Sequence, residues 1–114
     1  MVSVACIAIV GILTGCGSGL GEIEFSPRPQ VWLGTGEQGV TISAGGTDAA
    51  FSKLYTTNET VFKKVSTTCT SPLKAGKMCS VKISVGSPFK KGETAELVME
   101  NAAGEKAYDI LKTE

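Results

Sequence analysis

Beyond residue 24 the chain alternates apolar and polar positions with a period of two, interrupted at short intervals by turn residues. Seven segments carry the pattern: QVWL at 30–33, GVTIS at 39–43, AAFSKLYT at 49–56, TVFKKVST at 60–67, CSVKISV at 79–85, TAELVME at 94–100 and KAYDILK at 106–112. The clearest is 79–85, where Val81, Ile83 and Val85 point one way and Ser80, Lys82 and Ser84 the other. Between segments stand AGGTD, TSPLKAGK, GSPFKKGE and NAAGE, rich in Gly, Pro, Asn or Ser. No segment sustains apolar residues at helical spacing. The pattern therefore predicts an all-β chain folded as an Ig-like antiparallel β-sandwich of about seven strands. Val31, Leu33, Val40, Ile42, Phe51, Val61, Val81, Ile83, Leu97 and Ile110 are expected to point inward. Trp32 has two readings, a core anchor or an exposed binding residue, and its place in a short apolar run favours the core.

The first 24 residues follow a different rule. Val2–Leu13 is an uncharged run, shorter than the roughly 20 residues a membrane-spanning helix needs. It fits the apolar region of a secretory signal peptide. The next four residues, Leu13-Thr14-Gly15-Cys16, resemble a bacterial lipobox. That resemblance implies a cut before Cys16 and a lipid on its thiol, the small residues Thr14 and Gly15 giving the peptidase access to the backbone. Residues 1–15 are then a lipoprotein signal peptide, 16–24 a lipidated cysteine with a Gly-rich tether, and 25–114 the domain. A tether of eight or nine extended residues reaches about 25–30 Å. Gly17 rather than aspartate after Cys16 is similar to lipoproteins exported to the outer membrane. The location this implies is the bacterial cell envelope, lipid-anchored.

Given that location, the four cysteines do not form two pairs. Cys6 leaves with the signal and Cys16 carries lipid, so Cys69 and Cys79 remain in an oxidising compartment, where a disulfide is the default. Its short loop contributes roughly 2–3 kcal/mol. A zinc site is disfavoured, because the spacing is not CxxC and no further cysteine or histidine ligand accompanies the pair.

The stretch from Phe25 to Met99 resembles the Ig-like domains of the abnormal-spindle/hydin class, found in bacteria as choice-of-anchor repeats. The matching residues are Thr67, Thr68, Cys69, Leu73, Ala75, Gly76, Cys79, Pro88, Gly92 and Leu97, and the likeness covers most of residues 25–112. It implies a scaffolding or binding module with no catalytic residues to transfer.

Charge and composition narrow the remaining choices. Eleven basic and 11 acidic residues cancel, which removes the basic footprint of a nucleic-acid binder. The absence of histidine excludes Ser-His-Asp and Cys-His catalysis. Glu22, Glu24 and Glu93 are the remaining acid–base candidates and form no recognisable pair; no enzyme activity, cofactor or metal is expected. Gly34–Gly39 reads GTGEQG, a literal GxGxxG, but a strand rather than a helix follows it, so it is a turn. Asn58-Glu59-Thr60 matches a glycosylation acceptor and reads as a turn in a bacterial protein. Lys63, Lys64, Lys90 and Lys91 are either a basic patch or solvated strand edges that discourage unwanted pairing.

Two functions remain. One is a membrane-anchored binding or scaffolding module, its partners the bilayer through acylated Cys16 and a further protein, with exposed strand edges able to accept a partner strand. The other is an inhibitor or exclusion lipoprotein that blocks a hydrolase or phage through the Cys69–Cys79 loop.

Overall fold

The computed structural model describes Leu20 and residues 22–114. Eight strands form: β1 (Ile23–Ser26), β2 (Gln30–Trp32), β3 (Gly36–Ala44), β4 (Lys53–Thr56), β5 (Lys63–Thr67), β6 (Met78–Val85), β7 (Thr94–Glu100) and β8 (Lys106–Thr113). They make two four-stranded sheets, ordered β1-β3-β6-β5 and β2-β8-β7-β4. With β1 as A, β2 as a second half of A, and β3 to β8 as B to G, these are the ABED and CFG sheets of an immunoglobulin sandwich. Every ladder is antiparallel except β2 with β8, which is parallel.

The core follows from strand alternation. Val40 and Ile42 of β3 and Val81 and Ile83 of β6 face Leu97 and Met99 of β7 and Leu111 of β8, all buried. Trp32 is fully buried, set edge-on against Phe62 with ring centroids 5.4 Å apart. Its indole N–H donates to the Gly36 carbonyl at 3.1 Å, so the ring is buried with its one polar atom satisfied.

Five expectations need correction. First, the sandwich starts earlier than Phe25. Ile23 and Phe25 are buried and pair with Ala44 and Ile42, so Ile23 and Glu24 belong to β1 and not to the tether. Second, Trp32 takes the inward position of β2, which forces Val31 outward and leaves Leu33 78% exposed. Third, Ile110 faces outward and Asp109 and Leu111 inward, the reverse of the expected phase in 106–112. Fourth, 49–56 and 60–67 are strands only at 53–56 and 63–67. The Asn58 side chain accepts from the Thr60 and Val61 N–H groups and its carbonyl from Phe62 N–H, making the intervening stretch a turn. Phe51 and Val61 still pack against the core from outside the strands. Fifth, the turn expected over Gly34–Gly39 is confined to Gly34 and Thr35: β3 opens at Gly36, and Gly36–Gly39 pairs with Lys82–Val85 of β6.

Candidate functional site

Strand direction sorts the connections into two ends. β3 finishes at Ala44 where β1 begins and β6 starts, so the chain entry, the β3–β4 and β5–β6 loops and the β7–β8 turn share one end. The β2–β3, β4–β5 and β6–β7 connections share the other.

At the entry end the Cys69–Cys79 disulfide is formed, with both cysteines buried and their Cα atoms 5.0 Å apart. Its loop is strapped down along its length. Leu73 is buried and exchanges two 2.8 Å backbone hydrogen bonds with Ala49. Ser71 Oγ accepts from Phe51 N–H at 2.9 Å, and Asp48 accepts from Ala75 N–H at 2.8 Å and pairs with Lys74 at 3.4 Å. The Ala75 hydrogen bond, with the Lys74 charge, holds the Asp48 carboxyl below its usual range. Gly76 closes the turn at φ 75°, where a side chain would be strained, and donates to the Ala44 and Gly45 carbonyls. A loop tied at this many points is a structural turn more than a probe held out to a partner.

The lysine candidates separate. The Lys64 ammonium crosses to the other sheet and donates to the Leu54 carbonyl at 2.5 Å. Lys90 sits at the far end, in a cleft of about 270 Å³ with Thr60, Val61, Val85 and Pro88. The carboxylate candidates separate as well. Glu22 is at the entry end, accepting from Gly46 N–H at 2.6 Å; Glu24 follows on β1; Glu93 lies at the far end beside Thr113. Cys6 and Cys16 lie outside the described residues.

The edges between β4 and β5 are closed. Leu54 O is taken by Lys64, Thr56 N–H donates to Glu59 at 3.4 Å, and β5 carries an irregularity between Lys64 and Ser66. Closed, lysine-bearing and bulged edges resist strand addition.

What the sequence reading did not single out is the outer face of the β2-β8-β7-β4 sheet. Tyr55, Val98 and Tyr108 stand in register across β4, β7 and β8, with Ile110 and Val31 beside them on the same face. Val98 points away from the core yet is only 3% exposed, set in register between the two tyrosines. Tyr108 is 41% exposed, and the Arg28 guanidinium lies 5.4 Å from its ring centre. Tyr55 donates its hydroxyl to Glu100 at 3.1 Å; burial and that carboxylate raise the phenol above its ordinary pKa. Lys53 and Lys106 flank Glu100 in the next row, and Glu96 and Lys112 complete a charged surround. An apolar aromatic centre in a charged rim has the composition of a protein-binding surface.

Beneath this sheet lies a second feature missed in the sequence. Asp109 is fully buried on the inner side of β8, and neither carboxylate oxygen has a hydrogen-bond partner among the described residues. Burial pushes its pKa up to about 6, against the pull of the adjacent Ile110 N–H dipole and the Arg28 charge. Gln30, buried on the neighbouring β2, donates its amide to Gln38 on the opposite sheet and leaves its own oxygen unpartnered. The charges in 106–112 could have revealed this phase: Lys106 and Lys112 share a face with Ile110, and lysines seek water.

Comparison of the chain with protein families, with curated proteins and with solved structures finds no match.

Proposed function

We propose that this chain is a non-catalytic binding or scaffolding module of a bacterial envelope assembly, held to the membrane through acylated Cys16. The supporting observation is the outer face of the β2-β8-β7-β4 sheet, where Tyr55, Val98, Tyr108, Ile110 and Val31 form a contiguous apolar centre across four strands. Partner contact through this face fits the geometry better than strand addition, since the β4–β5 side is closed by Lys64 and Glu59. The alternative role as an inhibitor acting through the Cys69–Cys79 loop fits less well, because that loop is tied to the β3–β4 connection and shares the end where the tether enters.

The test has two parts. Intact mass of the membrane fraction should equal residues 16–114 plus acyl chains, less two hydrogens for the disulfide. Co-purification from natively expressing cells should recover a stoichiometric protein with the native chain and lose it with Tyr108→Asp. An uncut soluble chain overturns the anchoring, and a partner retained by the variant overturns the binding face.

A further inference from the structure

The point at which the chain becomes fixed determines which end of the sandwich can meet the membrane. Leu20 is buried, and its carbonyl accepts from Ile23 N–H at 3.2 Å. Two residues on, the Glu22 carbonyl accepts from Gly45 N–H at 3.1 Å, and its carboxylate accepts from Gly46 N–H and from the Thr47 hydroxyl. The approach is close: a Cβ on Gly45 would lie 3.0 Å from the Glu22 side chain. Only Gly17, Ser18 and Gly19 separate Cys16 from Leu20, so the chain between them reaches about 14 Å at full extension. This is about half of what a tether running to Glu24 would allow.

Gly45 in turn accepts from Gly76 N–H at 2.8 Å, which places the Lys74–Met78 turn directly beside the chain entry. The carboxylates nearby are largely engaged within the fold. Glu22 caps the β3–β4 loop, Asp48 holds Ala75 and Lys74, Glu105 accepts from Asn101 at 2.7 Å, and Glu100 is bound by Tyr55; Glu24 remains on β1. Lys77 makes no ion pair among the described residues, and Met78 beside it is 69% exposed. A long cationic side chain next to an exposed flexible apolar one suits the boundary between headgroups and water.

We infer that the turn Lys74–Met78 faces and touches the headgroup layer of the bilayer that holds Cys16, with Lys77 directed at lipid phosphates. The inference rests on the proposed anchoring at Cys16. The opposite end, with Lys90 and Lys91, then projects away from the membrane by roughly the length of β3, about 30 Å. The disulfide loop is thereby a membrane-side element, and the Tyr55–Tyr108 face stands on the flank, open to a neighbouring protein.

The test is amine labelling of the native acylated chain, using a water-soluble reagent and reading each lysine by mass spectrometry. The chain is compared in vesicles of phosphatidylethanolamine and phosphatidylglycerol and in detergent micelles. Lys77 is expected to label several-fold more slowly in vesicles than in micelles, while Lys90 and Lys91 keep the same rate in both. Vesicle-bound chain in which Lys77 slows no more than Lys90 overturns the orientation and leaves the anchoring intact. Chain that does not float with the vesicles overturns the anchoring, and the orientation with it.

Discussion

The two sheets turn very different outer faces to solvent. On the β1-β3-β6-β5 sheet that face is built from Glu24 and Ser26, Glu37, Thr41 and Ser43, and Ser80, Lys82 and Ser84, with Met78 at its end and Val65 exposed on edge strand β5. Its one cross-strand ion pair, Lys82 with Glu37 at 4.0 Å, is exposed on both sides and contributes little. On the β2-β8-β7-β4 sheet the equivalent positions are Val31, Tyr55, Val98, Tyr108 and Ile110. The inner faces differ too. The first sheet presents the core with Ile23, Phe25, Val40, Ile42, Val81 and Ile83, whereas the second places a buried carboxylate, Asp109, among its apolar residues. A sandwich needs one wet face per sheet for solubility and one dry face for its core. The first sheet meets that requirement apart from the separate Met78 and Val65, whereas the second carries a contiguous apolar row across its outer face, on which the proposed binding role rests.

The sharpest way to break this comparison is to place the same charge on both outer faces. Val98→Asp buries an unpaired carboxylate between the tyrosines and is expected to lower stability by about 4 kcal/mol or more. Ser80→Asp, on the exposed face of β6, is expected to change it by no more than about 0.5 kcal/mol. Urea unfolding of both variants reads the difference. Equal effects would mean that the two faces are alike.

The inner asymmetry comes next in size. A carboxyl whose folded pKa, about 6, lies above its unfolded value of 3.8 favours the fold below the unfolded value and loses that contribution as pH rises through 6. The native chain should therefore lose up to about 3 kcal/mol from this group between pH 4 and pH 7, and Asp109→Asn should remove that slope. Asp48 has the opposite sign: its lowered pKa adds stability above the unfolded value and is lost in acid. Subtracting the curve of the variant from that of the native chain isolates Asp109. A difference curve that is flat over this range would show that Asp109 is solvated.

A smaller effect sharpens the division of labour between the sheets. Replacing both cysteines, Cys69→Ala with Cys79→Ala, is expected to cost about 2–3 kcal/mol on thermal or urea unfolding. Partner binding should survive at temperatures where the variant is folded, because the disulfide belongs to the other sheet and its loop. Smaller again is Tyr108→Ser, at about 1 kcal/mol for a half-exposed ring, yet it should abolish co-purification of the partner.

Much of this architecture was legible in the sequence, for reasons that differ by element. Val81, Ile83 and Val85 alternate cleanly with Ser80, Lys82 and Ser84, and β6 lies where that pattern put it, one residue longer at Met78. The paired cysteines were legible as well. Strand β1 was not, because Ile23 and Phe25 are only two apolar positions among glycines and glutamates, and their burial depends on pairing with Ala44 and Ile42 far along the chain. In 106–112 both phases carry an apolar residue, Ile110 on one and Leu111 on the other, and reading Ile110 as inward hid the burial of Asp109. The apolar row on the outer face of the β2-β8-β7-β4 sheet was invisible for a deeper reason. Tyr55, Val98 and Tyr108 come from three separate strands, and only the register of β4 with β7 and of β7 with β8 brings them into one row.

That row is where the functional reading can be tested most directly. A photo-activated phenylalanine analogue is placed at position 108 in one natively expressed chain and at position 80, on the opposite face, in another. Irradiation of intact cells should trap a protein adduct of defined mass from position 108 and none from position 80. Adducts from position 80 alone, or equally from both, would contradict a binding surface on the β2-β8-β7-β4 sheet.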